Sequence, residues 1–350
     1  MTLKKTILVA PLNWGLGHAT RCIPIINALI SNNFEPIIAS DGAALLLLKK
    51  EFPHLKSIEL PSYHISYPKK GYQFKFSILR GAYKIRRAIK TENKYLETLI
   101  ETHEIDGVIS DNRLGMHSKQ VPSVYITHQL QVLSGMTTWL STMMHQKAIK
   151  NFNVCWVPDV HDHPNLSGKL GHPNTYVIPT TYIGPLSRFN MTKQEATYDV
   201  MVVLSGPEPQ RTLLEKKLLT EFKNYKGKAL FVKGIIENKQ VVFEEDHITI
   251  YNYMSSEQLE NTLNQSKLVV SRSGYTTIMD LAKLNKRAFF IPTPGQFEQV
   301  YLAKRLKDQG LVASCHQNEF YIERLNDIES YSGLTNIEFE VNYQELFSLF

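Results

Sequence analysis

Residues 271–303, SRSGYTTIMDLAKLNKRAFFIPTPGQFEQVYLA, decide how this chain is read. They continue from KLVVS (267–271), a β-branched apolar run suited to a buried strand, and after Arg272-Ser273-Gly274 the apolar spacing Ile278, Leu281, Ala282 is helical. Strand, glycine turn and helix follow one another. At such a junction the N–H groups of Gly274, Tyr275, Thr276 and Thr277 have no intrahelical acceptor and lie at the positive end of the helix dipole. A diphosphate suits that place. Asp280 follows within the first turns of the same helix, where a carboxylate can accept hydrogen bonds from vicinal ribose hydroxyls. A second strand, RAFFIP (287–292), leads into the loop PTPGQFEQ (292–299), which brings Gln296, Glu298 and Gln299 to the same edge of the sheet. Amides and a carboxylate offer donors and acceptors to a polyhydroxylated sugar. An ordinary αβ unit with a glycine turn and solvated polar loops has the same local pattern, so this segment does not stand alone.

Outward from it, strand-like and helix-like stretches alternate: TILVAP (6–11), HATRCIPIINALISN (18–32), EPIIAS (35–40), DGAALLLLKKEF (41–52) and KSIELP (56–61). The alternation resumes with DGVIS (106–110), SVYITH (123–128), a long helical segment over 132–150 and VCWVP (154–158). It breaks in the polar stretch 159–174, and a charged run, NMTKQEATY (190–198), precedes a new apolar strand, DVMVVLSG (199–206). LFVKG, ITIYNY and the helix SSEQLENTLNQ then repeat the pattern. Parallel βαβ units follow from such alternation. The expected fold is α/β, with two doubly wound Rossmann-like domains facing across a cleft: residues 1–184, residues 198–330, and a segment 331–350 with helical spacing beginning near Asn318.

Length and composition agree. The chain has 350 residues, enough for two cores, a formal net charge of +6 and 21% charged residues. Cys22, Cys155 and Cys315 are far apart and odd in number, which suggests neither a disulfide framework nor a zinc cluster. No run of eighteen apolar residues occurs and the N-terminal apolar stretch is too short for a signal peptide. A reducing cytoplasm is the expected location, with the inner face of a membrane as the surface the protein would visit.

The segment 271–299 resembles the nucleotide-sugar signature of glycosyltransferase family 28, S-R-A-G-x-x-T-x-x-E-L, then G-x-P, a strand ending in Pro and a Gln-rich loop. Ser271, Arg272, Gly274, Thr277 and Leu281 match; Ser273 replaces Ala, Asp280 replaces Glu and Arg287 replaces the Pro of G-x-P. Glu298-Gln299 stands where the family has paired glutamines. The resemblance implies a GT-B architecture, a glycosyltransferase activity, a donor site including Arg272, Ser273, Gly274, Tyr275, Thr276, Thr277, Asp280, Gln296, Glu298 and Gln299, and C-terminal helices that cross back to the first domain.

Other positions acquire meaning beside that resemblance. In APLNWGLGHATR, Gly15 and Gly17 precede a helix starting near His18, and family 28 enzymes carry a Gly-rich loop ending in Gly-His there. An imidazole titrates near neutral pH and can accept the proton of an attacking hydroxyl. A capping or acceptor-orienting role suits His18 equally. Asp111, at the end of IDGVISD, is the alternative base. VYITHQLQ resembles the family strand ending V-I-H-E-Q-N, which puts Gln131 at the position of an Asn that contacts donor sugar. LSGPEPQR resembles the G-G-S-x-G loop near the diphosphate, giving Ser205, Gly206 and Arg211; ITIYNYM resembles the segment that reads uracil, giving Tyr253 and Met254. Strand-end core packing explains those last two as well. Gly17 completes the donor set.

The implied chemistry is an inverting displacement from a UDP-sugar carrying a hexose or N-acetylhexosamine. No Asp-x-Asp occurs, so phosphate charge is expected to be handled without a metal, and no cofactor beyond the co-substrate is expected. His161, Asp162, His163 and His172 form a weak metal pattern in a Pro/Gly-rich loop. Between Pro61 and Thr91 lie Lys69, Lys70, Lys75, Arg80, Lys84, Arg86, Arg87 and Lys90 without an Asp or Glu, interleaved with Tyr and Phe. A basic aromatic stretch suits an anionic bilayer or a lipid-linked acceptor more than nucleic acid, which has no motif elsewhere in the chain. A solvated helix face has the same composition. Two other functions fit the architecture: a UDP-sugar 2-epimerase, which needs carboxylates such as Glu298 and Asp111 near the sugar, and a noncatalytic nucleotide-binding protein.

Overall fold

The computed structural model describes residues 4–63 and 74–350. Its first half builds on β1 (Thr6–Pro11), α1 (Gly17–Ser31), β2 (Glu35–Ser40), α2 (Gly42–Glu51), β3 (Ser57–Glu59) and α3 (Phe74–His103). There follow β4 (Gly107–Asp111), β5 (Ser123–Ile126), α4 (Thr138–Ile149), β6 (Val154–Val157) and β7 (Thr180–Tyr182). These strands form one seven-stranded sheet in the order β3-β2-β1-β4-β5-β6-β7, with parallel pairing throughout. The central strands are apolar on both faces because helices cover both.

The second half begins with β8 (Tyr198–Val203), α5 (Gln210–Phe222), β9 (Ala229–Val232), β10 (Val242–Glu245), β11 (Ile248–Tyr251) and α6 (Ser256–Asn264). It continues through β12 (Ser266–Ser271), α7 (Tyr275–Lys283), β13 (Arg287–Phe290), α8 (Phe297–Asp308), β14 (Ala313–Ser314) and α9 (Tyr343–Phe347). The order is β10-β11-β9-β8-β12-β13-β14, parallel except for the β10–β11 hairpin. In both sheets the order reverses beside the first strand of the unit, β1 or β8. That is the switch point where open α/β sheets bind ligands, beyond the carboxyl ends of their strands.

Two expectations need correction. The segment 132–150 is α-helical only over Thr138–Ile149, after a 3-10 turn at Gly135–Thr137; Gly135, at φ +63, sits outside right-handed helix space, and Ser134 N and Val132 N donate to the Thr138 (3.0 Å) and Thr142 (3.1 Å) hydroxyls. Beyond Asn318 the chain forms a 3-10 stretch, Ile322–Ser330, and the one-turn α9 rather than long helices. Yet the end of the chain does reach the first domain. Phe347 and Phe350 lie edge-on to Phe34 at 5.5 and 6.5 Å between ring centres, and both pack beside Trp156. A Cβ on Gly107 would stand 2.2 Å from the Phe350 ring, so only glycine lets β4 accept that ring. Burying such a phenylalanine contributes about 1.5–3 kcal/mol.

One buried apolar cluster runs from the first sheet (Ile7, Val9, Ile109) through α1 (Cys22, Ile26) and the linker (Leu186, Phe189) to α7 (Ile278, Met279) and the second sheet (Met201, Val269). The two halves are joined by core, not only by linker.

Candidate active site between the two sheets

Helices α1, after Leu16, α7, after Gly274, and α8, after Gln296, begin at the facing sheet edges without a side-chain cap. Their first-turn N–H groups have no intrahelical acceptor. The starts of α1 and α7 touch, since Thr276 Oγ1 donates to Gly17 O at 3.2 Å. A Cβ on Gly17 would lie 2.9 Å from that hydroxyl oxygen, so glycine permits the approach.

Beside this contact runs a chain of buried charge. Asp111, at the end of β4, is completely buried. Arg21, three residues after His18 and so on the same face of α1, donates to both Asp111 carboxylate oxygens. Burial alone would raise the Asp111 pKa, but Arg21 and His18 outweigh it and hold the carboxyl at about 2. His18 Nδ1 lies 2.9 Å from Asp111 Oδ1. Arg21 Nη2 is also 2.9 Å from that nitrogen, but it donates to Asp111, so the ionised carboxylate places the proton on Nδ1 and leaves Nε2 as an acceptor. Asn112, at φ +60, presses in at 3.4 Å while Tyr125 donates to its Oδ1 at 2.8 Å. Asn tolerates that left-handed conformation better than most residues.

The chain continues across the gap. Arg21 Nη1 is 3.2 Å from His128 Nδ1, and His128 Nε2 is 2.9 Å from Glu298 Oε1 in the first turn of α8. Burial pushes the His128 pKa down, opposed by Glu298, so the ring is neutral, accepting from Arg21 and donating to Glu298. It stacks on Tyr275 at 4.2 Å, and Tyr275 Oη donates to Pro158 O at 2.9 Å. Gln129 Nε2 donates to the other Glu298 oxygen. Burial raises the Glu298 pKa, yet His128, His18 and Arg21 leave it lowered overall.

On the other side of α7, Asp280 accepts from Ser187 Oγ at 2.7 Å. Burial pushes its carboxyl up to about 6, against the pull of Arg188. Arg188 Nε and Nη1 are buried without a hydrogen-bond partner, and the nearest carboxylate contact, Glu51, is 3.7 Å away. Near β8, Gly206 adopts φ +103 and faces Thr293 Oγ1, which is buried and unpartnered. Such orphaned polar atoms call for an explanation, and a bound ligand is one.

The structure thus brings together Gly17, His18, Asp111, Tyr275, Thr276 and Glu298, with Gly274, Thr277 and Asp280 along α7. Most of the other expected donor contacts have polar groups engaged elsewhere. Arg272 is buried; its Nη atoms donate to Ile291 O and Pro292 O (both 3.0 Å), Gln210 O (2.9 Å) and Gln317 Oε1 (2.8 Å), which braces the loops, while its Nε is buried without a hydrogen-bond partner. Ser273 Oγ donates to Gln299 O at 2.8 Å; Gln299 accepts from Thr293 N at 2.8 Å and donates to Gln296 at 2.7 Å. Arg211 pairs with Glu208 and Glu215. Tyr253 Oη lies 3.1 Å from Lys50 Nζ, and Met254 packs on the core. Ser205 is exposed, and Gln131 donates its backbone N–H to Leu170 O at 2.9 Å. His172 lies 2.9 Å from both Gly168 O and Val160 O, while His161 and Asp162 are exposed. Among the described residues no group of three His, Cys, Asp or Glu is placed to hold a metal.

Sequence reasoning missed Arg21, Arg188 and Thr293. The i, i+3 spacing of His18 and Arg21 was a visible signal. Arg188, in the linker, and Thr293, one hydroxyl among loop residues, carried none.

Comparison with known proteins agrees with this architecture. Residues 209–329 match the glycosyltransferase family 28 C-terminal domain. The calicheamicin glycosyltransferase CalG4 superposes with a TM-score of 0.61 at 11% identity, over 95% of this chain and 90% of that one. The spinosyn rhamnosyltransferase SpnG, complexed with thymidine diphosphate, gives 0.57 at 12% identity over 94% and 90%. MurG of Acinetobacter baumannii gives 0.52 at 14% identity over 99% of each chain. No curated protein sequence matches the chain. The fold is the GT-B architecture that these glycosyltransferases share. Its second half carries the family 28 C-terminal domain.

Proposed function

We propose that the protein moves a hexose or N-acetylhexosamine from a UDP-sugar to an acceptor hydroxyl by a single, inverting displacement that needs no metal. The observation that carries the reading is the contact of two uncapped helix starts, α1 and α7, beside His18 and within a turn of Asp280. A diphosphate placed there meets N–H donors from both domains, and leaving-group charge is stabilised by groups already oriented toward it. Asp280 accepts from the ribose hydroxyls, exchanging Ser187 for ligand. His18 Nε2 takes the acceptor's proton while Asp111 and Arg21 hold the ring. Gly206 and Thr293 Oγ1 approach the phosphates; Glu298 and the first-domain amides line the sugar. That SpnG was solved with thymidine diphosphate supports a nucleoside diphosphate as the leaving group of this architecture. The acceptor in this reading is lipid-linked, on the strength of the basic aromatic stretch 61–91. Residues 64–73 of that stretch lie outside the described residues, and Arg86, Arg87 and Lys90 on α3 are exposed.

A thermal-shift screen against nucleotide sugars tests the donor, because a ligand at a hundred times its Kd stabilises the fold by about 2.7 kcal/mol. UDP-sugars should raise Tm above the shift from other nucleotide sugars; equal shifts from all would remove the uridine assignment. Incubation with a UDP-sugar alone separates the epimerase reading: epimerised sugar appearing without an acceptor would sink the transferase.

A further inference from the structure

Helix α4 is built inside out. Its residues Thr138, Ser141, Thr142, His145 and Gln146 turn toward the protein, where Thr138, Ser141 and Thr142 bond residues 132–135 and Gln146 bonds Leu130 O. His145 is packed against Tyr125, and burial lowers its pKa to about 4, which leaves the ring uncharged. The outward rows, 139-143-147 and 140-144, place Trp139, Leu140, Met143 and Met144 in solvent at 75%, 42%, 46% and 41% exposure. Spacings of four and one put these side chains on one face. A surface helix ordinarily does the reverse, with its apolar stripe inward. Phe297, itself half exposed, lies against Gly135 at the foot of the same helix, so the apolar surface reaches the mouth of the cleft.

The sequence that builds this face is one-sided in charge. From Asn112 to Pro158 the sequence has no Asp or Glu. Lys147 and Lys150 are exposed at the C-terminal end of α4, on the side of the exposed stripe, and Lys119 is exposed in the same acid-free segment. A large aromatic, flexible apolar side chains and flanking lysines are the chemistry that enters the headgroup region of a negatively charged bilayer. Among the described residues no helix is long and apolar enough to cross a membrane, so attachment here would be interfacial.

We propose that the outer face of α4 docks on an anionic lipid surface, with Trp139, Leu140, Met143 and Met144 inserted and Lys147 and Lys150 at the headgroups. This surface is separate from the stretch 61–91, and it does not depend on the transferase reading. The whole protein would be sedimented with vesicles of phosphatidylcholine containing phosphatidylglycerol, and with phosphatidylcholine alone. Wild type should pellet with the anionic vesicles. The pair Trp139→Ser with Met143→Ser, and separately Lys147→Glu with Lys150→Glu, should each lower binding about tenfold. Phe243→Ser, on the exposed hairpin strand β10, should leave it unchanged. All substitutions are on the surface, and circular dichroism checks that each variant is folded. Failure of wild type to pellet, or equal binding by the α4 variants, would overturn the proposal. So would light scattering showing a wild-type dimer that Trp139→Ser makes monomeric, because the face would then belong to a second copy of this chain. The UDP thermal shift is read on the same variants and should not move, so failure of the donor reading is distinguishable.

Discussion

The starts of α1 and α7 are the same motif folded twice, strand, glycine turn and uncapped helix, yet they have opposite electrostatics. The first turn of α7 offers N–H groups and hydroxyls, and the next turn one carboxylate, Asp280, whose pKa burial pushes up to about 6. The start of α1 already holds a buried ion pair: Arg21 on Asp111, whose carboxyl is held at about 2, with His18 hydrogen-bonded beside it. One start is left open at its N–H groups, and the other already contains a buried charge pair. The geometry of the motif therefore does not assign its role; the side chains of the following turn do.

The contrast can be broken first at its most buried member. Asp111→Ala strands Arg21 in the interior, and we expect about 3–5 kcal/mol of lost stability in urea unfolding; an unchanged midpoint would show that Arg21 is satisfied without it. His18→Ala removes the proposed base while keeping the Arg21–Asp111 pair. Turnover should fall by about 10²–10⁴ with UDP affinity unchanged, as measured by steady-state kinetics and calorimetry. At the other helix start, Asp280→Ala should weaken UDP by about 1.5–3 kcal/mol, the worth of hydrogen bonds to a charged group, and abolish turnover. Normal UDP affinity in that variant would remove the ribose assignment.

The pH dependence sharpens the same contrast. Asp280 has a folded pKa raised from 3.8 to about 6, so its contribution to the ligand-free fold is present below about 3.8 and is lost as pH rises through about 6. UDP should reverse this, because the ribose needs the ionised acceptor: affinity should drop as pH falls from 7 through 6, and Asp280→Asn should flatten the curve. Asp111, with its lowered pKa, stabilises the fold above about 3.8 and loses that contribution only as pH falls through about 2. The smallest effect is expected of Gly17→Ala. Its Cβ would press on Thr276 Oγ1, which can rotate away at the expense of one hydrogen bond, about 1 kcal/mol in kcat/KM.

Much of the fold was legible because hydrophobic period and glycine turns are local. β1, β2, β4, β12 and β13 lie where apolar runs predicted strands, and α7 begins after Gly274 as the turn required. The misreadings were local as well. Apolar spacing over 132–150 looked helical, but Gly135 and hydroxyls that bond nearby backbone delayed the helix by six residues, from Val132 to Thr138. At the site, Arg272, Ser273, Gln299 and Arg211 belonged to a recognisable pattern, yet their partners are backbone carbonyls and carboxylates from other segments. A motif can be preserved because it builds a loop as well as because it touches a ligand.

Sequence by itself determined the two αβ units, the glycine turns that leave helix starts open, and the chemical types available there, because each depends on residues within a few positions of one another. The tertiary structure alone decided which charges meet. His18, Arg21, Asp111, His128 and Glu298 come from three elements, the loop after β5 and both halves of the chain, and they are joined only when the two sheets face each other. The free energy of a buried charge depends on its neighbours in space, within a few ångströms and without regard to their distance along the chain.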